Sequence, residues 1–202
     1  DLSEGVPGPY CTKLLSGLGA EVIKIERPGF GDVSRRDAPF LGDDANPEKG
    51  TLFLYLNSGK KSVTLDAESP TGADILRSLA AECDILVESY PAGSMERMGL
   101  GYSSLANLKP LLIYTSITPF GQTGPYRDYK GSDLVAQAIG ALMHTIGLPD
   151  REPLKVGGNT ALYATGMSAF SATMLALHAR DTQGYGQQVD ISAMETMTVT
   201  QI

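Results

Sequence analysis

The 202-residue sequence holds no tryptophan, two cysteines, two histidines and only 7% aromatic residues. A platform that stacks nucleic-acid bases needs aromatic rings in number, so that function is excluded. Cys11 and Cys83 lie far apart and have no Cys or His at ligand spacing. That excludes a disulfide framework and a zinc site, and it points to a reducing cytoplasm. Positive charge is also scarce: 16 Lys and Arg stand against 23 Asp and Glu, a net charge of -7. Such a balance argues against nucleic acid and anionic membrane as partners. It leaves room for a local basic pocket around one anionic ligand. No apolar run reaches the roughly 20 residues that span a bilayer. The longest, residues 167–179, is interrupted by Ser168, Ser171 and Thr173. No basic stretch followed by an apolar one opens the sequence, so no signal peptide is read.

What is present is ordinary globular material: 42% apolar and 19% charged residues, with 23 glycines and 12 prolines. This suits one domain, at most two small ones, and excludes disordered, coiled-coil and collagen-like chains. Leu14, Leu15 and Leu18 share a face in a predicted helix over 8–19. The alternating β-branched run AEVIKIE predicts a strand over 20–26. Residues 28–50 are rich in Gly, Pro and Asp and predict a long excursion. Strands follow at 62–66, 84–88 and 111–117. Ser69-Pro70 opens a helix, with Ser at the N-cap and Pro at N1. A short helix is expected near 103–108, then helices at 133–147 and 160–180. A short strand at 188–191 and a helix from Ser192 complete the pattern. Short apolar strands alternating with helices predict an α/β fold: a Rossmann-like, mostly parallel open sheet flanked by helices. In such sheets ligands sit beyond the carboxyl ends of the strands, which singles out the turns after Glu26, Asp66, Glu88 and Ile117.

Gly29-Phe30-Gly31-Asp32 follows a strand but lacks the third glycine of a dinucleotide fingerprint, so a plain Gly-rich loop is the expectation. Basic residues recur near strand ends: Lys24 and Arg27, Arg35 and Arg36, Lys60 and Lys61, with Arg97 and Lys130 later. Singly each reads as a solvated charge; together they can line a site for a phosphate-bearing ligand. Neither His144 nor His178 reads as catalytic. Asp133 reads as a structural carboxylate at a helix N-terminus rather than a catalytic one.

An ordered series of motifs runs along almost the whole chain. Val6-Pro7-Gly8-Pro9 precedes LLSGLGAEVIKIERP over 14–28. Then come Gly31-Asp32 with Arg35, NSGKKSVTLD over 57–66, DILVE over 84–88 and MGLGY over 98–102. FGQTGPY over 120–126, DLVAQ over 133–137 and TQGYGQQVD over 182–190 complete it. In that order the series closely resembles the family III CoA-transferases, the CaiB/BaiF family.

The resemblance implies a large Rossmann-like domain, cut from a longer chain that adds a small domain absent here. It also implies that the first strand is clipped at Asp1. Two subunits interlock in the family, so a homodimer is implied. The substrates are a CoA thioester and a small carboxylic acid, with CoA as substrate rather than a permanently bound cofactor and no metal. In the family an aspartate attacks the thioester to give a mixed anhydride and then an enzyme-bound CoA thioester, a form of covalent catalysis. By position, Arg27, Lys60, Arg97 and Lys130 match places where the family contacts CoA. Ser89-Tyr90 stands where Asn-Phe is usual, also beside CoA. The sequence departs from the family at the aspartate. In the stretch from Gly157 to Gly166 its position holds Leu162, which carries no nucleophile, acid or base. The His of the related racemases corresponds to Ser132, which disfavours that activity. The expectation is a homologue that binds CoA and lacks the standard chemistry, as in the inactive half of a fused or paired protein. A transferase with its carboxylate from elsewhere is the alternative, and a dinucleotide-binding oxidoreductase is disfavoured by the motif series.

Overall fold

The computed structural model describes residues 1–200. All strand pairs are parallel. β1 (Ile23–Glu26) pairs with β2 (Lys61–Thr64); β3 (Ile85–Glu88), β4 (Ile113–Thr118) and β5 (Gln188–Ser192) form a second sheet in the order β3-β4-β5. Where one open sheet is expected, the described residues form two. Asp1 and Leu2 lie between them. The Ile25 amide donates to the Asp1 carbonyl at 2.8 Å, and the Leu2 amide donates to the Val87 carbonyl at 2.8 Å. Residues 1–2 thus act as a fragment of strand joining β1 to β3 near their carboxyl ends. Toward the amino ends the two strands are separated by a slot of about 570 Å³, lined by Val22, Ile23, Ile85, Leu86, Leu76 and Leu79.

The core follows from strand alternation, which sends successive side chains to opposite faces. Leu86 and Tyr114 point to one face and pack with Leu76 of α3 (Pro70–Glu82) and Leu105 of α5 (Tyr102–Leu108). Val87 and Ile117 point to the other and pack with Cys11 and Leu15 of α1 (Pro7–Gly17) and Ala169 of α8 (Thr160–Gln183). Helices therefore cover both faces, and all six residues of β4 are buried. A strand buried on both sides reads as a continuous run rather than an alternation. The start of α3 is as expected: the Gly72 amide donates to Ser69 Oγ at 3.0 Å, with Pro70 at N1. Contact between α1 and α8 depends on Gly166, where a Cβ would sit 2.5 Å from the Pro7 carbonyl oxygen. A hydrogen bond of 2.8 Å between the Thr115 and Thr173 hydroxyls ties α8 to β4.

Several elements differ from the sequence expectation. β1 begins at Ile23, three residues late. The helix expected over 133–147 is two, α6 (Asp133–Ile139) and α7 (Leu142–Thr145), because Ala141 adopts a left-handed conformation with φ 65°. Gly140 also packs so close to Met197 that a Cβ would lie 2.3 Å from that residue's Cβ. The helices α2 (Thr51–Leu56) and α4 (Ser94–Arg97) are too short to show a helical period in sequence. The helix expected from Ser192 to the end is α9 (Ala193–Val199), with residues 201 and 202 outside the described residues. At 24 residues, α8 is long and apolar enough to cross a membrane by length and composition alone, which the shorter apolar run does not suggest. It packs against α1, β4, β5, α6 and α9 along its buried side.

Candidate functional site

Parallel strands end together, and at that edge two cavities lie side by side. The first, about 210 Å³, is lined by residues that include Glu4, Arg27, Leu65, Asp66, Ser89 and Tyr90. The second, about 190 Å³, is lined by residues that include Glu4, Ser89, Phe120, Ser132, Leu162 and Thr165. Glu4 and Ser89 belong to both, so the cavities form one bent cleft. The turns after β1, β3 and β4 supply Arg27, Ser89-Tyr90 and Pro119-Phe120, in keeping with the rule for open parallel sheets.

Arg27 is exposed, with its guanidinium 5.2 Å from the centre of the exposed Phe30 ring. Tyr90 is half-buried and its amide donates to a Glu88 carboxylate oxygen at 2.8 Å. The Ser89 hydroxyl accepts from the Glu4 amide at 2.9 Å. Arg97 is exposed and donates to Ser94 Oγ at 2.7 Å. It shares a patch with Arg127, which sequence reading missed. Their guanidinium nitrogens lie 3.4 and 3.0 Å from where a Gly93 Cβ would be. Lys130 is exposed and lines neither cavity.

Lys60 does not reach the cleft. It precedes β2, at the amino end of a parallel strand, and its ammonium is buried. It donates to the Asp1 carboxylate at 3.0 Å, to the Pro9 carbonyl at 2.9 Å and to Asn57 Oδ1 at 2.8 Å. Other members of the expected basic series are also spent internally. Lys24 is buried 2.6 Å from Asp32 and Arg35 holds Glu26 at 2.7 Å, while Lys61 pairs with Glu21 at 2.9 Å on the surface. Of the series, Arg27 alone lines the first cavity, against Glu4, Glu26, Asp66 and Glu68. The collective basic lining expected from spacing is therefore replaced by one arginine in the cleft and an arginine pair beside it.

The Gly-rich loop is structural. Asp32 accepts from the amides of Gly5 at 3.1 Å and Ser34 at 2.8 Å and holds Lys24. A Cβ at Gly31 would meet Arg35 and Glu26 at under 3 Å. Burial works against the Glu26 charge, but hydrogen bonds from Arg35, Ser62 and the Asp32 amide hold its carboxyl down to about 2. Glu88 is the opposite case. Burial pushes it up to about 7, against hydrogen bonds from Ser116 and the Tyr90 amide. Beside it the buried Tyr114 hydroxyl has no hydrogen-bond partner among the described residues.

Leu162 sits in the first turn of α8 and lines the second cavity. The nearest organised acid is Asp133, and it is fully engaged. One oxygen accepts from the Ala161 and Leu162 amides at 2.9 and 3.3 Å. The other accepts from Gln137 Nε2 at 2.6 Å and pairs with Lys155 at 2.9 Å. Asp133 thus caps the amino end of α8 from the first residue of α6, a structural role as expected. Tyr163 points away from the cleft, as its helix position predicts, and packs edge-on against Tyr10 at 4.9 Å. Besides Arg127, sequence reading missed Glu4, which borders both cavities. No group of three His, Cys, Asp or Glu suited to a metal occurs among the described residues.

Comparison with known proteins identifies the family. The family model for CoA-transferase family III matches residues 1–201. The human succinyl-CoA:glutarate CoA-transferase is 40% identical over 197 residues, covering 97% of this chain and 44% of that protein. The acetyl-CoA:oxalate CoA-transferase of Acetobacter aceti is 36% identical, covering 96% of this chain and 49% of that protein. The chain thus spans about half the length of these curated relatives. A CAIB/BAIF family protein from Brucella suis has a crystal structure that superposes with a TM-score of 0.90 at 37% identity, covering 98% of this chain and 52% of that one. A parallel α/β core with its cleft at the strands' carboxyl edge, matched in sequence and structure along nearly its whole length, belongs to CoA-transferase family III.

Proposed function

We propose that this chain binds a CoA thioester along the two joined cavities and serves the transfer of CoA from that thioester to a small carboxylic acid. The observation that carries this is the bent cleft at the carboxyl edge, with Arg27 and Tyr90 at one end and Leu162 at the other. Each cavity is smaller than the roughly 300–1,000 Å³ of a usual ligand pocket. A ligand as extended as CoA therefore lies along both and out over the edge. Arg27 above Phe30 offers a cation and a ring to adenine and phosphate, and Ser89 and Tyr90 line the path. Arg97, now with Arg127, and Lys130 lie outside the two cavities and meet the ligand only where it extends over the edge. Lys60 is outside it, since its three internal bonds already hold its ammonium.

Leu162 leaves the position of the family's aspartate without a carboxylate, so the cleft holds the thioester without reacting at that residue. The family frame adds further parts of the proposal. A small domain lies outside this chain, and an extended segment fills the slot between β1 and β3 as a further parallel strand. The protein works as a homodimer in the cytoplasm, away from membrane, and keeps no permanently bound cofactor.

Calorimetric titration of the intact protein with CoA tests the binding. Arg27→Ala is expected to weaken it roughly tenfold, since a hydrogen bond to a charged group contributes about 1.5–3 kcal/mol. Absence of CoA binding, or binding of NADH in its place, overturns the proposal.

A further inference from the structure

We propose that Glu4 supplies the carboxylate that attacks the thioester in this protein, from the junction of the two cavities rather than from position 162. The inference rests on the CoA-thioester reading above and goes beyond it in assigning the chemistry to a residue. Among the residues lining the cavity that holds Leu162, Glu4 is the one acid. Asp66 and Glu68 border the first cavity alone and not the one that holds Leu162, and the buried carboxylates near this edge are committed. Asp133 is held by four donors, and Asp32 by Lys24 and two amides. Glu26 is held by Arg35 and Ser62, and Glu88 by Ser116 and the Tyr90 amide.

Glu4 differs from these buried acids. Its side chain is exposed and its carboxylate has no hydrogen bond or ion pair among the described residues. Its backbone is nevertheless fixed. Its own amide donates to Ser89 Oγ at 2.9 Å, the next amide, of Gly5, donates to buried Asp32 at 3.1 Å, and Ser3 before it is fully buried. A free carboxylate on a pinned backbone, bordering both arms of the cleft, is where a thioester laid along them passes. Partial burial and the neighbouring Asp32 charge raise the Glu4 carboxyl above its usual range. A more basic carboxylate is the better nucleophile once ionised.

The chemistry balances without any further reagent. The Glu4 carboxylate adds to the thioester carbonyl, the carbon–sulfur bond breaks, and CoA leaves as thiolate with its electron pair, giving a mixed anhydride. The thiolate then attacks the glutamyl carbonyl, and the donor acid departs as carboxylate, leaving a glutamyl-CoA thioester. The acceptor carboxylate adds to that carbonyl and expels the thiolate. The thiolate then attacks the acceptor's acyl carbon, which releases the new thioester and restores Glu4.

The test uses the intact protein with acetyl-CoA as probe. CoA binding is measured first by calorimetry. The protein is then incubated with acetyl-CoA, trapped with hydroxylamine and mapped by mass spectrometry. The expected result is a glutamyl hydroxamate on the tryptic peptide that ends at Lys13, absent in Glu4→Gln. In the double variant Glu4→Gln/Leu162→Asp the hydroxamate is expected at residue 162, which shows that the cleft still assembles without Glu4. If CoA does not bind, the reading under Proposed function fails. If CoA binds and no hydroxamate forms at Glu4, or one persists elsewhere in Glu4→Gln, the assignment of Glu4 alone is overturned.

Discussion

Replacing Asp133 by Asn tests whether the amino end of α8, and with it the wall of the second cavity, is held electrostatically. The substitution keeps the shape and removes the charge. Asp133 is 6% exposed and one of its oxygens accepts from the Ala161 and Leu162 amides. A hydrogen bond to a charged group is worth about 1.5–3 kcal/mol and a neutral one about 0.5–1.5, so the two amide bonds together lose about 2 kcal/mol. The new NH2 group also faces Gln137 Nε2, a donor 2.6 Å from the present oxygen. Gln137 has no simple escape by flipping, because its own oxygen accepts the Val156 amide at 2.9 Å. Setting donor against donor in a buried place costs about 1 kcal/mol more. Lys155 adds little, since its side chain is 33% exposed and returns to water. The total is about 3 kcal/mol. With a urea slope of about 2 kcal/mol per molar, the unfolding midpoint falls by about 1.5 M. Amide exchange at Ala161 and Leu162 quickens at the same time. A midpoint shift below about 0.3 M, with those two amides unchanged, refutes the capping argument.

The remaining expectations concern packing and protons. Gly166→Ala places a Cβ 2.5 Å from the Pro7 carbonyl; overpacking costs about 1–3 kcal/mol and outweighs the gain in helix propensity, so the melting temperature falls by a few degrees. An unchanged melting temperature contradicts the tight α1–α8 contact. Glu88 sits at about 7 in the folded chain against 4.5 ordinarily. The folded state therefore binds the extra proton between those values, and stability falls as pH rises from about 4.5 to 7, by roughly 3 kcal/mol. Glu88→Gln flattens that part of the pH–stability curve in urea titrations, and an unaltered slope disproves it. Glu26 has the opposite sign. Its carboxyl is held near 2, so its contribution is present above about 4.5 and is lost as pH falls toward 2. Glu26→Gln is expected to lower stability at neutral pH and to bring the variant and the parent together in acid.

Much of the frame was legible because it depends on local chemistry. Ser69-Pro70 is a start signal that needs no tertiary partner, and it caps α3 as read. The strands at 84–88 and 111–117 stand out because strands buried on both faces are runs of Ile, Leu and Val. The break at Ala141 was not legible, since a left-handed alanine is imposed by packing of Gly140 against Met197 and leaves no mark in composition. Lys60 shows the limit of spacing. Arg27, Lys60 and Arg97 look alike as charges in a row. What separates them is which end of a parallel strand each occupies and whether a buried carboxylate meets it, and Asp1 meets Lys60 from 59 residues away. Leu162 was found by its register within a motif, whereas Glu4 stood outside every motif. It became visible only when the turn after residues 1–2 came to face Ser89 across 85 residues of sequence.

The division of the strands into two sheets has a mechanical consequence. The first cavity draws Arg27 and Leu65 from the β1–β2 sheet and Ser89, Tyr90 and Pro91 from the end of β3. Any occupant of it therefore touches both sides of the seam that Asp1 and Leu2 bridge. A bound molecule there acts as a rivet: it adds noncovalent cross-links between two sheets whose strands are otherwise joined through residues 1–2. Its signature is a narrowing of the gap between the hydrogen-exchange stabilities of β1 and β3 as the site fills, with β1 gaining the more protection.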